Sequence, residues 1–328
     1  MDIARELGIS KSTVSRALSG DTSNVKAETL QKIMKTAHRM GYHRNDLAVH
    51  LRQQRTHNIG IIIPEIITTF YMTFINEVQA ILRKQGYKVM IAISSENPKQ
   101  ERENLLMMEQ LRVDGILMSV CDKDQNVDLY NKVIERGIPI VFFDRTVEGV
   151  QASQVRMDDY IMAFFMVEAL LRKGYKHILH IPGPAYIRNS RERQRGYRDA
   201  LEKFHVAYQA QDILQPALSA EDGSRVMEQY LEKNIPFDAV FGFTETAVLG
   251  AKSTLQKHKM RIPDDVALCC MSGTALATLV HPQLTAVEQP IGEMARESCR
   301  LLMEHLADNN KKTEEIALRG ETVVREST

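Results

Sequence analysis

Residues 1–20 read MDIARELGISKSTVSRALSG, two short helical segments meeting at a tight turn, the second with a polar, basic face. Ala4 is small enough to let one helix cross closely over the other, Gly8 supplies the left-handed backbone that the turn requires, and Ile9 and Val14 close the crossing. Ser10 stands where an N-cap belongs, so Lys11, Ser12, Thr13, Ser15 and Arg16 project from the N-terminal half of the second helix. In a helix-turn-helix that half reaches base edges in the major groove, and the spacing predicts a duplex-DNA reader using Ser10 to Arg16. Apolar residues at helical spacing from Val25 to Met40 (Ala27, Leu30, Ile33/Met34, Ala37, Met40), ending at Gly41, predict a third helix that completes a small core. Asn45 to Arg52, with Leu47, Ala48 and Leu51 on one face, predicts a short fourth helix outside that core, too short to be stable alone in water.

The 328 residues suffice for this small module and a larger domain. Formal net charge is zero, but residues 1–57 carry ten Lys/Arg against five Asp/Glu, a net of +5, which leaves the remainder at −5. A basic head on an acidic body is the electrostatic footprint of a DNA-binding module joined to a domain with another task. Cys121, Cys269, Cys270 and Cys299 have no metal-ligand spacing and read as reduced core residues. No apolar run is long enough to span a membrane and no signal peptide is visible, so a cytoplasmic location and no membrane partner are expected.

From Asn58 onward, short β-rich runs alternate with amphipathic helices, which predicts parallel sheets covered on both faces. A first series has strands at 59–64, 88–93, 115–119 and 138–144 and helices at 70–85, 101–111 and 129–136. A second has helices at 160–173, 192–204, 224–233 and 247–257 and strands at 178–182, 239–243 and 266–271. Two such series imply two lobes.

The segments IARELGISKSTVSRAL (3–18), GYHRNDLAVHL (41–51), NIGIIIP (58–64), VDGIL (113–117), GIPIVFFD (137–144), Gly183-Pro184 with RQRGY (193–197), IPDDV (262–266), LTAV (284–287) and VVREST (323–328) follow one another in order. Together they resemble the lactose/galactose repressor (LacI/GalR) family over the length of the chain. The resemblance implies an all-α helix-turn-helix headpiece (1–44), a hinge helix and linker (45–57), and an α/β two-lobed, periplasmic-binding-protein-like effector domain (58–328). Lobe 1 would comprise about 58–155 plus 289–318, and lobe 2 about 156–288 plus 319–328. Three crossings, near Ser153 to Asp159, Glu288 to Ile291 and in the C-terminal region, would join them around a cleft. In open α/β sheets ligands bind at the carboxyl ends of strands, which here face that cleft.

Family position then selects Phe70, Tyr71, Asp144, Arg145, Arg193, Thr244 with Glu245, and Ser272 as ligand contacts. Arg193 is the expected main anchor, since a guanidinium donates two parallel hydrogen bonds to a carboxylate or to vicinal hydroxyls. In the hinge, Asn45, Ala48 and Leu51 are the implied DNA contacts, Leu51 being the minor-groove wedge. Several positions depart from the family pattern. Thr244-Glu245 replaces Asn-Asp, Ser272-Gly273 replaces an acidic pair, Leu218 replaces a cleft aromatic, and Arg44 replaces a proline before the hinge asparagine. The effector class is accordingly widened from a sugar to a sugar acid or sugar phosphate. The start at Met1-Asp2 lacks the residues that precede the first helix in relatives, so either that helix frays or the true start lies upstream.

These readings describe a ligand-responsive, sequence-specific transcription regulator, by family default a repressor, of genes for carbohydrate or related metabolites. It is expected to bind double-stranded operator DNA as a homodimer and to use a small-molecule effector but no cofactor or metal. A transport-type solute-binding protein shares the two-lobed fold but leaves the headpiece unexplained. An enzyme is not expected, because there is no Gly-x-Gly-x-x-Gly, phosphate-binding loop, Gly-x-Ser-x-Gly or metal-spaced histidine cluster.

Overall fold

A computed structural model describes residues 2–19, 25–41, 55–66, 68–122 and 124–328. It divides into two units, Met1–His57 and Asn58–Thr328. In the first, α1 (Asp2–Glu6), α2 (Lys11–Ser19) and α3 (Ala27–Arg39) enclose Ile3, Ala4, Val14, Ala17, Ile33 and Ala37. Gly8 holds the turn at φ +62°, a conformation that disfavours a side chain. The Ile9 N–H donates back to the Ala4 carbonyl at 3.1 Å. The inner face of α3 is narrower than its apolar pattern suggests, since Ala27, Met34 and Met40 are exposed. Met34 follows Ile33 by one residue, roughly 100° around the helix, so only one of the two can face the core. Residues 45–52, with the expected contacts Asn45, Ala48 and Leu51, lie outside the described residues.

The second unit begins with β1 (Asn58–Ile63), α4 (Thr69–Lys84), β2 (Lys88–Ile93), α5 (Pro98–Gln110), β3 (Gly115–Met118), α6 (Val127–Glu135), β4 (Ile140–Phe143) and β5 (Ser153–Met157). It continues through α7 (Asp159–Arg172), β6 (Ile178–Ile181), α8 (Arg188–Lys203), α9 (Ala220–Leu231), β7 (Ala239–Gly242), α10 (Glu245–Lys257), β8 (Ala267–Gly273), α11 (Leu276–Leu279) and β9 (Thr285–Glu288). It closes with α12 (Ile291–Ala307), β10 (Glu315–Leu318) and β11 (Glu321–Val323).

Lobe 1 is built on a six-stranded parallel sheet in the order β10-β5-β4-β3-β1-β2, and lobe 2 on a five-stranded sheet in the order β11-β9-β8-β7-β6, parallel except for the β11–β9 pair. Strand periodicity explains burial on both faces. Ile59, Ile61 and Ile63 pack with Phe74 of α4 and Leu302 of α12, while Ile62 packs with Met108 of α5 and Tyr130 of α6. In lobe 2 the same division places α9 and α10 on one face and α7 and α8 on the other. The chain passes between lobes after β5, between β9 and α12, and between β10 and β11.

Helices α9 and α10 meet backbone to backbone. A Cβ at Gly223 would lie 1.9 Å from the Ala247 carbonyl oxygen, and one at Gly250 would lie 1.9 Å from that of Ala220. Gly→Ala within a helix ordinarily stabilises by about 0.5–1 kcal/mol, whereas overpacking costs about 1–3 kcal/mol. Gly250→Ala should therefore lower the urea midpoint of unfolding. A raised midpoint would mean that the helices separate freely.

Candidate DNA-binding face and effector cleft

Helix α2 presents its N-terminal half as a capped, polar surface. Ser10 Oγ accepts from the Thr13 N–H at 3.0 Å and lies 2.8 Å from both Ser12 Oγ and Thr13 Oγ1. Lys11, Ser12, Ser15 and Arg16 are exposed, Thr13 is half-buried, and Val14 and Ala17 turn into the core. No acidic side chain occupies the first turn, so the helix's positive end and Lys11 face outward together. Arg16 Nε lies 3.4 Å from the Ser12 carbonyl oxygen, leaving its guanidinium at the surface.

In the second unit the carboxyl ends of the strands meet at a cleft lined by Phe70, Tyr71, Asp144, Arg145, Arg193, Thr244, Glu245 and Ser272. All seven ligand residues chosen from sequence line it, together with Glu245. Several of their polar groups are, however, already engaged. Arg193, only 3% exposed, donates from Nε to Asp159 Oδ1 and from Nη1 to the Phe243 carbonyl oxygen, each at 2.7 Å. Its guanidinium carbon also sits 4.4 Å from the Phe243 ring centroid. Only Nη2 has no partner among the described residues, so the double fork expected from sequence is reduced to one branch. Arg145 Nη1 donates to Glu96 Oε2 at 2.9 Å. Thr244 Oγ1 caps α10 by accepting from the Ala247 N–H at 3.2 Å, and Ser272 Oγ accepts from the Glu245 N–H at 3.2 Å.

Phe70 and Tyr71 serve two purposes. Both are buried in the core under α4, their rings 5.0 Å apart edge to face, yet the Tyr71 hydroxyl donates to Asp144 Oδ2 at 2.8 Å. Asp144, at φ +56° beyond β4, accepts at Oδ1 from Asn189 Nδ2 of the opposite lobe at 3.1 Å. Burial raises its carboxyl to about 6 despite the pull of Arg145. Burial likewise pushes Asp159 and Glu245 upward, against Arg193 for the first and against hydrogen bonds from Thr274 for the second. A second contact across the lobes runs from Arg188 Nη1 to Thr146 Oγ1 at 3.3 Å.

Sequence reading missed Asn189, Glu65, Thr274 and Gln289, which also line the cleft. Gln289 lies in the crossing expected at Glu288 to Ile291, and that topology was the available signal. Asn189 is masked in sequence by the arginine-rich run around it. Among the described residues no group of three or more His, Cys, Asp or Glu side chains could hold a metal ion, and no helix is long and apolar enough to cross a membrane.

A helix-turn-helix module followed by a two-lobed domain with a polar cleft defines a transcription regulator that answers to a small molecule. Residues 1–45 match the model described as bacterial regulatory proteins, lacI family, and residues 56–318 match that of periplasmic binding proteins and sugar binding domain of LacI family. The chain belongs to the LacI family of DNA-binding transcription regulators. It is 28% identical to HTH-type transcriptional regulator DegA of Bacillus subtilis over 100% of this chain and 97% of that protein. With catabolite control protein A of Priestia megaterium it shares 30% identity, over 95% and 92% of the two chains. A solved complex of transcriptional regulator CelR with cellobiose superposes with a TM-score of 0.76 at 25% identity, covering 99% of this chain and 98% of that one.

Proposed function

We propose that the chain binds a near-palindromic operator as a homodimer in the cytoplasm, represses genes for carbohydrate or related metabolites, and is switched by a sugar-like effector held between its lobes. The observation that carries the DNA half is the capped, outward-facing N-terminal half of α2, where Ser10, Lys11, Ser12, Thr13, Ser15 and Arg16 share one basic surface. Two-fold protein symmetry calls for matching symmetry in the site. Asn45, Ala48 and Leu51 add minor-groove contacts from the hinge. The cleft supplies control. An effector touching Asp144 and Arg145 on one lobe and Arg193, Thr244 and Ser272 on the other stabilises one lobe arrangement, and linkage then couples effector and operator affinities reciprocally, typically by about 1–3 kcal/mol.

Arg16 is assigned the dominant base contact, because its fork can hold guanine O6 and N7 together, worth about 1–3 kcal/mol of discrimination. Arg16→Ala should weaken binding to a selected operator far more than binding to random DNA at one fixed salt concentration. Equal losses on both would make Arg16 a phosphate contact and remove it from sequence readout.

A further inference from the structure

The charges around the cleft do not suit an anion. Both arginines that line it are already neutralised, Arg193 by Asp159 at 2.7 Å and Arg145 by Glu96 at 2.9 Å. Two lining carboxylates have no cation within ion-pair distance among the described residues: Asp144 on lobe 1, held by Tyr71 and Asn189, and Glu245 on lobe 2, held by Thr274. With Glu65, the lining holds three carboxylates against two arginines, and each arginine is already paired with a further carboxylate, Glu96 or Asp159. A second, independent feature points the same way. Asn189 is 4% exposed, and its Oδ1 has no hydrogen-bond partner. A carboxylate only accepts, so the amide's Nδ2 must face Asp144, which leaves Oδ1 as a buried acceptor at the cleft wall. Gln289 Oε1, at the crossing between lobes, is likewise unpartnered. A buried acceptor left unmade is costly, and a hydrogen-bond donor arriving in the cleft would relieve that cost.

We propose that the effector is a cationic, amino-bearing polyol whose ammonium is received by Asp144 and Asn189 Oδ1, with Glu245 across the cleft adding to the attraction. An ammonium offers three donors and no acceptor, the complement of this wall. Sugar acids and sugar phosphates meet the same carboxylates with like charge and find both guanidinium charges already paired, with Asp159 and Glu96. The inference rests on the cleft being the effector site.

Calorimetry on the full chain with glucosamine, galactosamine and mannosamine, their parent hexoses, their N-acetyl forms, two uronates and two hexose 6-phosphates tests it. At least one amine should bind about tenfold more tightly than its parent and its N-acetyl form, the effect of one charge-assisted hydrogen bond. That preference should shrink as salt is raised. Asp144→Asn should abolish the preference and Glu245→Gln should reduce it, in variants whose ligand-free melting shows that they fold. Tighter binding of a parent hexose, uronate or phosphate would overturn the amine assignment while leaving the cleft as the effector site. No binding by any compound would overturn the sugar-like reading of the cleft itself.

Discussion

Arg193→Ala is expected to destabilise the 58–328 unit by about 3–5 kcal/mol, the cost of breaking a buried ion pair by removing one partner. The size follows from what is left behind. Asp159 would keep its carboxylate in a wall that excludes water, without the Nε donor 2.7 Å away, and the Phe243 carbonyl oxygen would lose Nη1. The cation–π contact with Phe243 goes as well. Most of the cost is the orphaned charge, so Arg193→Ala combined with Asp159→Ala should recover much of it, and urea unfolding of the two single variants and the double variant measures the coupling. A loss below about 1 kcal/mol in the single variant would place the pair among solvated surface bridges. Loss of effector response in Arg193→Ala alone therefore says little about ligand contact. Arg193→Lys, which keeps a charge but not the fork, is the more informative comparison.

Glu101→Ala should cost about as much, for a different reason. Glu101 is wholly buried on α5 and accepts from the Cys121 N–H at 2.6 Å, from Asn126 Nδ2 at 2.9 Å and from the Tyr130 hydroxyl. It thereby pins the stretch after β3 and the start of α6. Each donor left buried without a partner costs about 1–3 kcal/mol, so the total should be roughly 3 kcal/mol or more. Burial raises this carboxyl. A group bound more tightly to its proton in the folded state stabilises most below its unfolded value, and that contribution is lost as pH rises through the folded value. The stability gap between wild type and variant should therefore be widest in acid, below about pH 4, and narrow toward neutrality. Urea midpoints of both proteins across that range give the comparison, and a gap that widens with pH would mean that Glu101 is held as a stabilised carboxylate.

What sequence conveys here is what is local. Gly8, Ile9, Ser10 and Val14 lie within one turn-and-helix, so the headpiece can be read from a short stretch of residues. The isoleucines of β1 declare a strand covered on both sides. By contrast α12 is absent from the sequence reading, because Ser298, Arg300 and His305 interrupt its apolar pattern, although Ser298 and His305 are buried. β5 reads in sequence only as a crossing, since Gln154 and Arg156 break its apolar run. The cleft residues were found by family position, but their partners were not. Asp159 lies 34 residues from Arg193, Glu96 lies 49 from Arg145, and Asn189 lies 45 from Asp144. No periodicity reports which carboxylate a given arginine will meet; that is decided when strand ends from distant segments converge.

The hydrogen bond between Arg188 and Thr146 spans the lobes but neither residue lines the cleft. Such a bond contributes about 0.5–1.5 kcal/mol to the lobe arrangement in which it forms. Apparent affinity scales with the fraction of molecules already in the competent arrangement. If this lobe arrangement is the one the proposed effector selects, a change at Thr146 should shift the response dose, by up to roughly tenfold, without altering the cleft lining or the headpiece. On that proposal sensitivity and selectivity rest on separate residues, so a change at Thr146 would adapt the response to scarce or abundant metabolites while keeping the same effector and the same operator.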